Sequence, residues 1–199
     1  MSIGQRTPRF FTAEEYLRIE RPAPFKSEFF HGRLYVRPDS EEAHIFIHAN
    51  LVRAAGNRLA GMNCHGMGND LKVRTPAQDF FAYPDLTIVC GERVYHDAER
   101  DILLNPMILL EIVSPSTEAV DRGSKFLMYQ QLESLREYVL VSQNTPRVEW
   151  YLRGENNEWI YAIAIGLEAS VTLSSLGITL PLSEIYANIA LPPALSVAK

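Results

Sequence analysis

The sequence predicts an α/β protein: a central sheet covered by helices, with extra strands towards the C-terminus. Three observations lead there. Residues 107–113, MILLEIV, are apolar almost throughout, the habit of a strand buried on both faces. A helical stretch over 121–134 and a second apolar strand over 137–142 follow, and strand–helix–strand order implies a crossover between parallel strands. Residues 147–153, 159–165 and 171–173 then have strand composition, with Asn156-Asn157 between the first two as a hairpin turn.

The earlier elements follow in order. Thr12-Ala13-Glu14-Glu15 has capping-box spacing and opens a short helix to about Ile19, which Pro22 and Pro24 end. Residues 27–30 and 33–36 read as a hairpin turning at His31-Gly32. Residues 41–60 read as a long helix with Ile45, Ala49, Val52 and Leu59 on its apolar face and Gly61 closing it. Strands are expected over 62–66, 71–74 and 80–90, the last bearing Asp85, and 91–106 reads as a polar connector. A final helix is expected over 181–190, with Pro181 in its first turn. One domain spanning 1–199 accounts for this pattern, with 1–10 and 191–199 expected to be flexible.

Composition narrows the function. At 199 residues, 47% hydrophobic and 22% charged, this is an ordinary globular composition, and no apolar run reaches membrane-spanning length. MSIGQRTPRFF carries no apolar leader core, and two cysteines make no disulfide framework. A cytoplasmic protein with reduced Cys64 and Cys90 is the simplest expectation. A net charge of −5 argues against a broadly basic nucleic-acid surface, while leaving room for a local basic groove beside an acidic metal site.

The chemistry concentrates between Tyr83 and Lys125. Asp85 opens one apolar strand, Glu111 interrupts another, and Lys125 follows on a helix. A carboxylate at a strand end commonly faces a ligand crevice. Burying Glu111 without a cation is costly, so an ion pair or a metal is expected there. Each residue has a plainer reading: Asp85 as a turn acid, Glu111 paired with Lys125 or Arg122, Lys125 paired with Asp121 one helical turn back. Together they form a set that can hold a hard divalent cation such as Mg²⁺ through Asp85, Glu111 and the Ile112 backbone carbonyl. Arg33, Arg37, Lys72, Arg74 and Arg122 are available for phosphate contact, and Lys72 and Arg74 alternate along one strand face. His44 and His48 have i,i+4 spacing but no third ligand, so ordinary helix histidines are expected, His44 near the acidic site.

Several blocks resemble a known family: Tyr83-Pro84-Asp85-Leu86, then Leu110 to Thr117 (LEIVSPST), then Asp121-Arg122-Gly123-Ser124-Lys125, Tyr129, and Glu137 to Val141 (EYVLV). Glu28 with His31 to Tyr35 is similar to its early acid-bearing hairpin. The family is the putative restriction-endonuclease family of bacterial proteins, within the PD-(D/E)XK nuclease superfamily. The resemblance implies a restriction-endonuclease-like mixed central sheet flanked by helices. It implies metal-dependent hydrolysis of DNA by a homodimer, using Mg²⁺ or Mn²⁺. Asp85 and Glu111 would be the metal carboxylates, Lys125 the catalytic lysine and Glu28 a further acid. The superfamily's general pattern has lysine two residues after the glutamate, where this chain has Val113. A nuclease-fold protein that binds nucleic acid or regulates as a homodimer without cutting is the alternative, and an acid cluster serving as a salt-bridge network is a third reading.

Overall fold

The computed structural model describes residues 9–75 and 80–191. The expectation of flexible termini lies almost wholly outside them. Helix α1 (Ala13–Glu20) opens with the expected capping box: the Glu15 N–H donates to Thr12 Oγ1, and the Thr12 N–H donates to Glu15. Strands β1 (Ser27–Phe30) and β2 (Arg33–Val36) form the expected hairpin, with His31 and Gly32 both at positive φ. Helix α2 (Glu42–Leu59) then packs against the sheet through Ile47, Leu51, Ala54, Ala55 and Leu59. The expected apolar face is therefore corrected, because Ile45 and Val52 are exposed. Polar anchoring accounts for the rotation: His44 and His48 both bond Asp85, which turns the 44–48–51–55 face inward.

Strands β3 (Cys64–Gly68), β4 (Lys72–Thr75), β5 (Phe80–Ala82) and β6 (Leu86–Cys90) follow. The stretch 80–90, expected to contain one strand bearing Asp85, holds two strands in different sheets with Asp85 between them. The chain leaves one at Tyr83-Pro84 and enters the other after Asp85, because proline cannot donate to a ladder. The expected connector over 91–106 contains β7 (Ile102–Leu103), whose buried pair runs parallel to β4. Strand β8 (Ile108–Val113) is buried along its whole length. After it come α3 (Glu118–Val120), a π-helical turn (Asp121–Lys125) and α4 (Phe126–Tyr129). This helical segment ends five residues sooner than expected. The Arg153 guanidinium takes up the carbonyls of Gln130 and Leu132, the partners its last turn needs.

Strand β9 (Glu137–Ser142) runs parallel to β8, as the crossover requires. Strands β10 (Arg147–Arg153) and β11 (Trp159–Ile165) form the expected hairpin, with Asn157 at positive φ in the turn. Strand β12 (Ser170–Leu173) pairs with β13 (Ile178–Pro181), a strand unforeseen in the sequence, and the last helix shrinks to α5 (Leu182–Ile185). Pro181 closes the strand and caps the helix instead of entering its first turn.

The six-stranded sheet runs β11-β10-β9-β8-β6-β3, and a five-stranded sheet runs β2-β1-β5-β4-β7. Both are mixed. One face of the large sheet packs on α2, the β12–β13 hairpin and α5 through Leu86, Ile88, Leu110, Ile112, Val139 and Val141. The other face packs on the α3–α4 segment through Leu109, Val113, Tyr138 and Leu140. Alternation along β8 thus divides two cores between its odd and even positions. No helix among the described residues is long and apolar enough to cross a membrane.

Cys64 and Cys90 stand directly opposite each other on β3 and β6 and form a disulfide, with 4.0 Å between their Cα atoms. The expectation of two reduced thiols is corrected. Pairing register brought the sulfurs together, and 26 residues of separation hid it.

Candidate active site

The antiparallel register of β6 and β8 builds the site. Leu86 opposes Leu110 and Thr87 opposes Leu109, so the same register carried one residue past the start of β6 brings Asp85 to Glu111. Like charges opposite each other destabilise a sheet unless other groups compensate. Each carboxylate here is compensated by a different set. Asp85 takes the Ile112 N–H at 2.7 Å, Arg37 Nη2 at 3.1 Å and His44 Nε2 at 3.2 Å. Arg37 also donates to the Tyr83 carbonyl at 2.6 Å, and His48 bonds the Asp85 carbonyl at 2.9 Å. Glu111 takes the Tyr129 hydroxyl at 2.9 Å and Lys125 Nζ at 3.3 Å.

Lys125 completes the cluster from the opposite layer. Its ammonium sits 3.0 Å from Glu28 and 3.3 Å from both Glu111 and Asp121. Glu28 arrives from β1, held by the Tyr83 N–H at 3.2 Å. Asp121, Lys125 and Tyr129 are spaced by four residues, and the π turn between the first two carries them over β8. The Tyr138 hydroxyl donates to the Asp121 carbonyl at 3.0 Å and fixes where that turn begins. Of the three plain pairings foreseen for Lys125 and Glu111, those between Lys125 and Glu111 and between Lys125 and Asp121 are present, while Arg122 binds Glu118 and Glu149 instead.

Four carboxylates, Glu28, Asp85, Glu111 and Asp121, thus face two permanent cations, Arg37 and Lys125. Burial pushes Asp85 up, but His44, Arg37 and the Ile112 N–H outweigh it and hold the carboxyl at about 2. Burial pushes Glu111 up to about 8; Lys125 opposes this, and Asp121, Asp85 and Glu28 reinforce it. Asp121 is also raised, by burial first. Burial would lower Lys125, yet the carboxylates of Glu111, Glu28 and Asp121 hold it above its ordinary value and charged. A cavity of about 610 Å³ opens onto this cluster, floored by Glu28, Asp85, Glu111 and Lys125 and rimmed by Tyr35 and Ser116.

The four expected catalytic residues are therefore together. The expected phosphate contacts are not. Lys72 is buried against Asp101 at 2.9 Å and Tyr83, and Arg74 contacts His96; neither lines the cavity. Arg37, Asp121 and Tyr129 complete the site. The sequence offers Arg37 only as a phosphate contact, while the four-residue spacing is the signal for the other two.

The donor set suits a hard divalent ion. Among the described residues no group of three or more His, Cys, Asp or Glu side chains is placed to hold a metal ion. Mg²⁺ rarely uses one: it takes one or two carboxylates and keeps waters or substrate phosphate oxygens. Asp85 and Glu111, lining one cavity, fit that habit. Ile112 lines the cavity beside them while its side chain stays in the core.

Comparison with known proteins gives consistent relatives. A crystal structure of a putative nuclease belonging to DUF820 from Anabaena variabilis superposes with a TM-score of 0.73, covering 88% of this chain and 97% of that one. At 16% identity the likeness is one of fold. Two uncharacterized Synechocystis proteins are similar in sequence: slr1290, 30% identical over 89% of this chain and 92% of its own length, and sll1609, 27% identical over 86% and 97%. The model of the Uma2 family, described as putative restriction endonucleases, matches residues 13–183, and the chain belongs to that family.

Proposed function

We propose that this protein is a metal-dependent endonuclease that hydrolyses DNA phosphodiester bonds with Mg²⁺ or Mn²⁺. The observation that carries the reading is that Asp85 and Glu111 line one cavity where β6 and β8 meet, with buried Lys125 beside them. Asp85, Glu111 and the Ile112 carbonyl would hold the ion, which when bound supplies Lewis-acid polarisation and a water of lowered pKa. The chain's own residues do the rest. Arg37 and His44 keep Asp85 ionised and fix its carboxylate plane. Lys125, charged and desolvated, offers positive charge to a phosphoryl oxygen as negative charge accumulates there. Glu28 and Asp121 hold the Lys125 ammonium in place, and Tyr129 orients Glu111.

A second reading, binding without cleavage, is favoured by Val113, which occupies the superfamily's lysine position and is packed in the core. One experiment separates the two. Wild type, Asp85→Asn and Glu111→Gln are incubated with supercoiled plasmid, linear duplex and single-stranded DNA, each with Mg²⁺, Mn²⁺ or EDTA, while calorimetry follows Mn²⁺ binding. Cutting by wild type alone, lost in EDTA, is expected. Folded wild type that neither cuts nor binds Mn²⁺ refutes the nuclease. Mn²⁺ and DNA binding without cutting selects the second reading.

A further inference from the structure

The hairpin that delivers Glu28 also carries an aromatic wall into the cavity. Tyr35 pairs with Glu28 across β1 and β2, and Phe30 lies two residues along β1, so the three share one face of the hairpin. All three line the cavity. Tyr35 is 49% exposed, an aromatic ring left open beside a buried acid cluster. Phe30 is braced by other rings: it meets Phe80 edge-on at 5.7 Å, Phe80 meets Tyr129 at 5.4 Å, and Tyr129 donates to Glu111. The wall and the candidate catalytic acids are therefore one packed unit. Permanent cations are few. Of the described residues that line the cavity only Arg37 and Lys125 carry one, and carboxylates already bind both, while Asp39 and Glu41 line it too and are exposed. Double-stranded DNA presents about one negative charge per 1.7 Å of axis, and proteins that grip it answer with lysines and arginines. Stacking on an aromatic side chain needs far less positive surface, but it needs a base freed from its neighbours.

We propose that this cavity takes an unpaired nucleotide of single-stranded DNA, with its base stacked on Tyr35 and its phosphate at Lys125 and the acid pair. The inference deepens the nuclease reading and rests on it for the place of the phosphate. At about 610 Å³ the cavity has the size of a site that encloses a small organic ligand, and one nucleotide is such a ligand. Its lining adds the hydroxyls of Ser114, Ser116 and Ser124, which donate to sugar or phosphate oxygens without adding charge. A base inside a duplex has both faces covered by its neighbours and offers none to Tyr35. Tyr35 is thereby the residue that selects the substrate, and its place opposite Glu28 ties that selection to the cluster.

The test uses the full chain and a short fluorescein-labelled DNA strand of mixed sequence, alone and annealed to its complement. Fluorescence anisotropy with Ca²⁺ measures binding, and gels with Mn²⁺ measure cleavage. Wild type is expected to bind the strand about tenfold or more tighter than the duplex. Tyr35→Ala, a change at an exposed position, is expected to keep the melting temperature and to weaken strand binding about tenfold, the worth of one stacked base, with the loss in KM where cleavage is followed. Tyr35→Phe keeps the ring and is expected to bind as wild type does. A strand of abasic sites is expected to bind wild type and Tyr35→Ala alike. A strand that is not bound, a duplex bound as tightly or more so, or a Tyr35→Ala variant that binds the strand unchanged overturns the proposal. Cutting by wild type with no preference for the strand refutes the unpaired nucleotide and leaves the nuclease standing. Strand binding that depends on Tyr35, with no cutting in Mn²⁺, keeps the nucleotide site and selects binding without cleavage.

Discussion

Replacing Lys125 by Met tests the cluster most directly. Methionine keeps an unbranched chain of similar length, so the 7% exposed side chain is replaced with little cavity and the change is one of charge. Lys125 lies within 3.0 to 3.3 Å of three carboxylates, Glu28, Glu111 and Asp121. Removing one partner of a buried ion pair costs about 3–5 kcal/mol, because the other charge stays buried without compensation. In a chain of this size that corresponds to a fall in melting temperature on the order of 10 °C. The pH dependence has a definite sign. Glu111 and Asp121 already titrate above their ordinary values, by burial first, and Lys125 is the group that lowers both. Without it their folded-state values rise further above the unfolded ones. The folded variant then binds more protons than its unfolded chain, and its stability falls as pH rises beyond the unfolded carboxyl range. The gap between wild type and Lys125→Met is therefore expected to widen from about pH 5 to pH 9. Millimolar Mg²⁺ is expected to recover part of it at the alkaline end, since an ion that binds only the folded state stabilises it. Urea unfolding across that range, with and without Mg²⁺, measures all three effects. Coincident midpoints for the two proteins at pH 8, or a gap indifferent to pH, would show that Lys125 does not compensate the acids.

Arg37→Met removes a guanidinium from Asp85, whose carboxyl is held at about 2; stabilisation from a lowered carboxyl is present above its unfolded value and lost as pH falls through the folded one, so the variant is expected to unfold at higher pH on the acid side, read by circular dichroism during acid titration. Reducing the Cys64–Cys90 bridge reopens a loop of 26 residues and is expected to lower stability by about 2–4 kcal/mol. Cys64→Ser should match that loss and be indifferent to reductant, and a wild-type melting curve unmoved by dithiothreitol counts against the bridge. Gly32→Ala is expected to cost ~1–3 kcal/mol, because φ is +76° there and the added Cβ would meet Phe10 at 2.9 Å; a neutral substitution in chemical denaturation would contradict the hairpin geometry.

Local signals were the legible ones. The capping box at Thr12, the His31-Gly32 turn and the apolar run of β8 each carry their instruction within a few residues, and each appears as read. What failed depended on distant partners. The buried face of α2 is set by His44 and His48 reaching Asp85 some forty positions away, which periodicity within the helix cannot reveal. The segment after Tyr129 is helical in composition, but Arg153 captures its carbonyls from another strand. Lys72 and Arg74 alternate along one strand face, yet Asp101 and His96, both in the segment read as a polar connector, contact them. The acid pair itself was readable because burial makes an isolated carboxylate in an apolar run conspicuous. Its compensation was only partly so, since Arg37 comes from the end of a hairpin that no spacing rule ties to Asp85.

The position of the lysine follows from alternation along β8. Leu109, Glu111 and Val113 share the face covered by the α3–α4 segment, so a lysine at 113 would emerge beside Glu111 on the same strand. Here Val113 packs in the apolar cluster with Phe126 and Tyr129, and that packing seats the helix close over the acids. The segment with the π turn from Asp121 to Lys125 brings Asp121, Lys125 and Tyr129 to bear on Glu111 and its surroundings. The apolar residue at 113 supports the element that carries the ammonium. Val113→Lys would then place a further buried cation beside Glu111 and unseat the helix that holds Lys125.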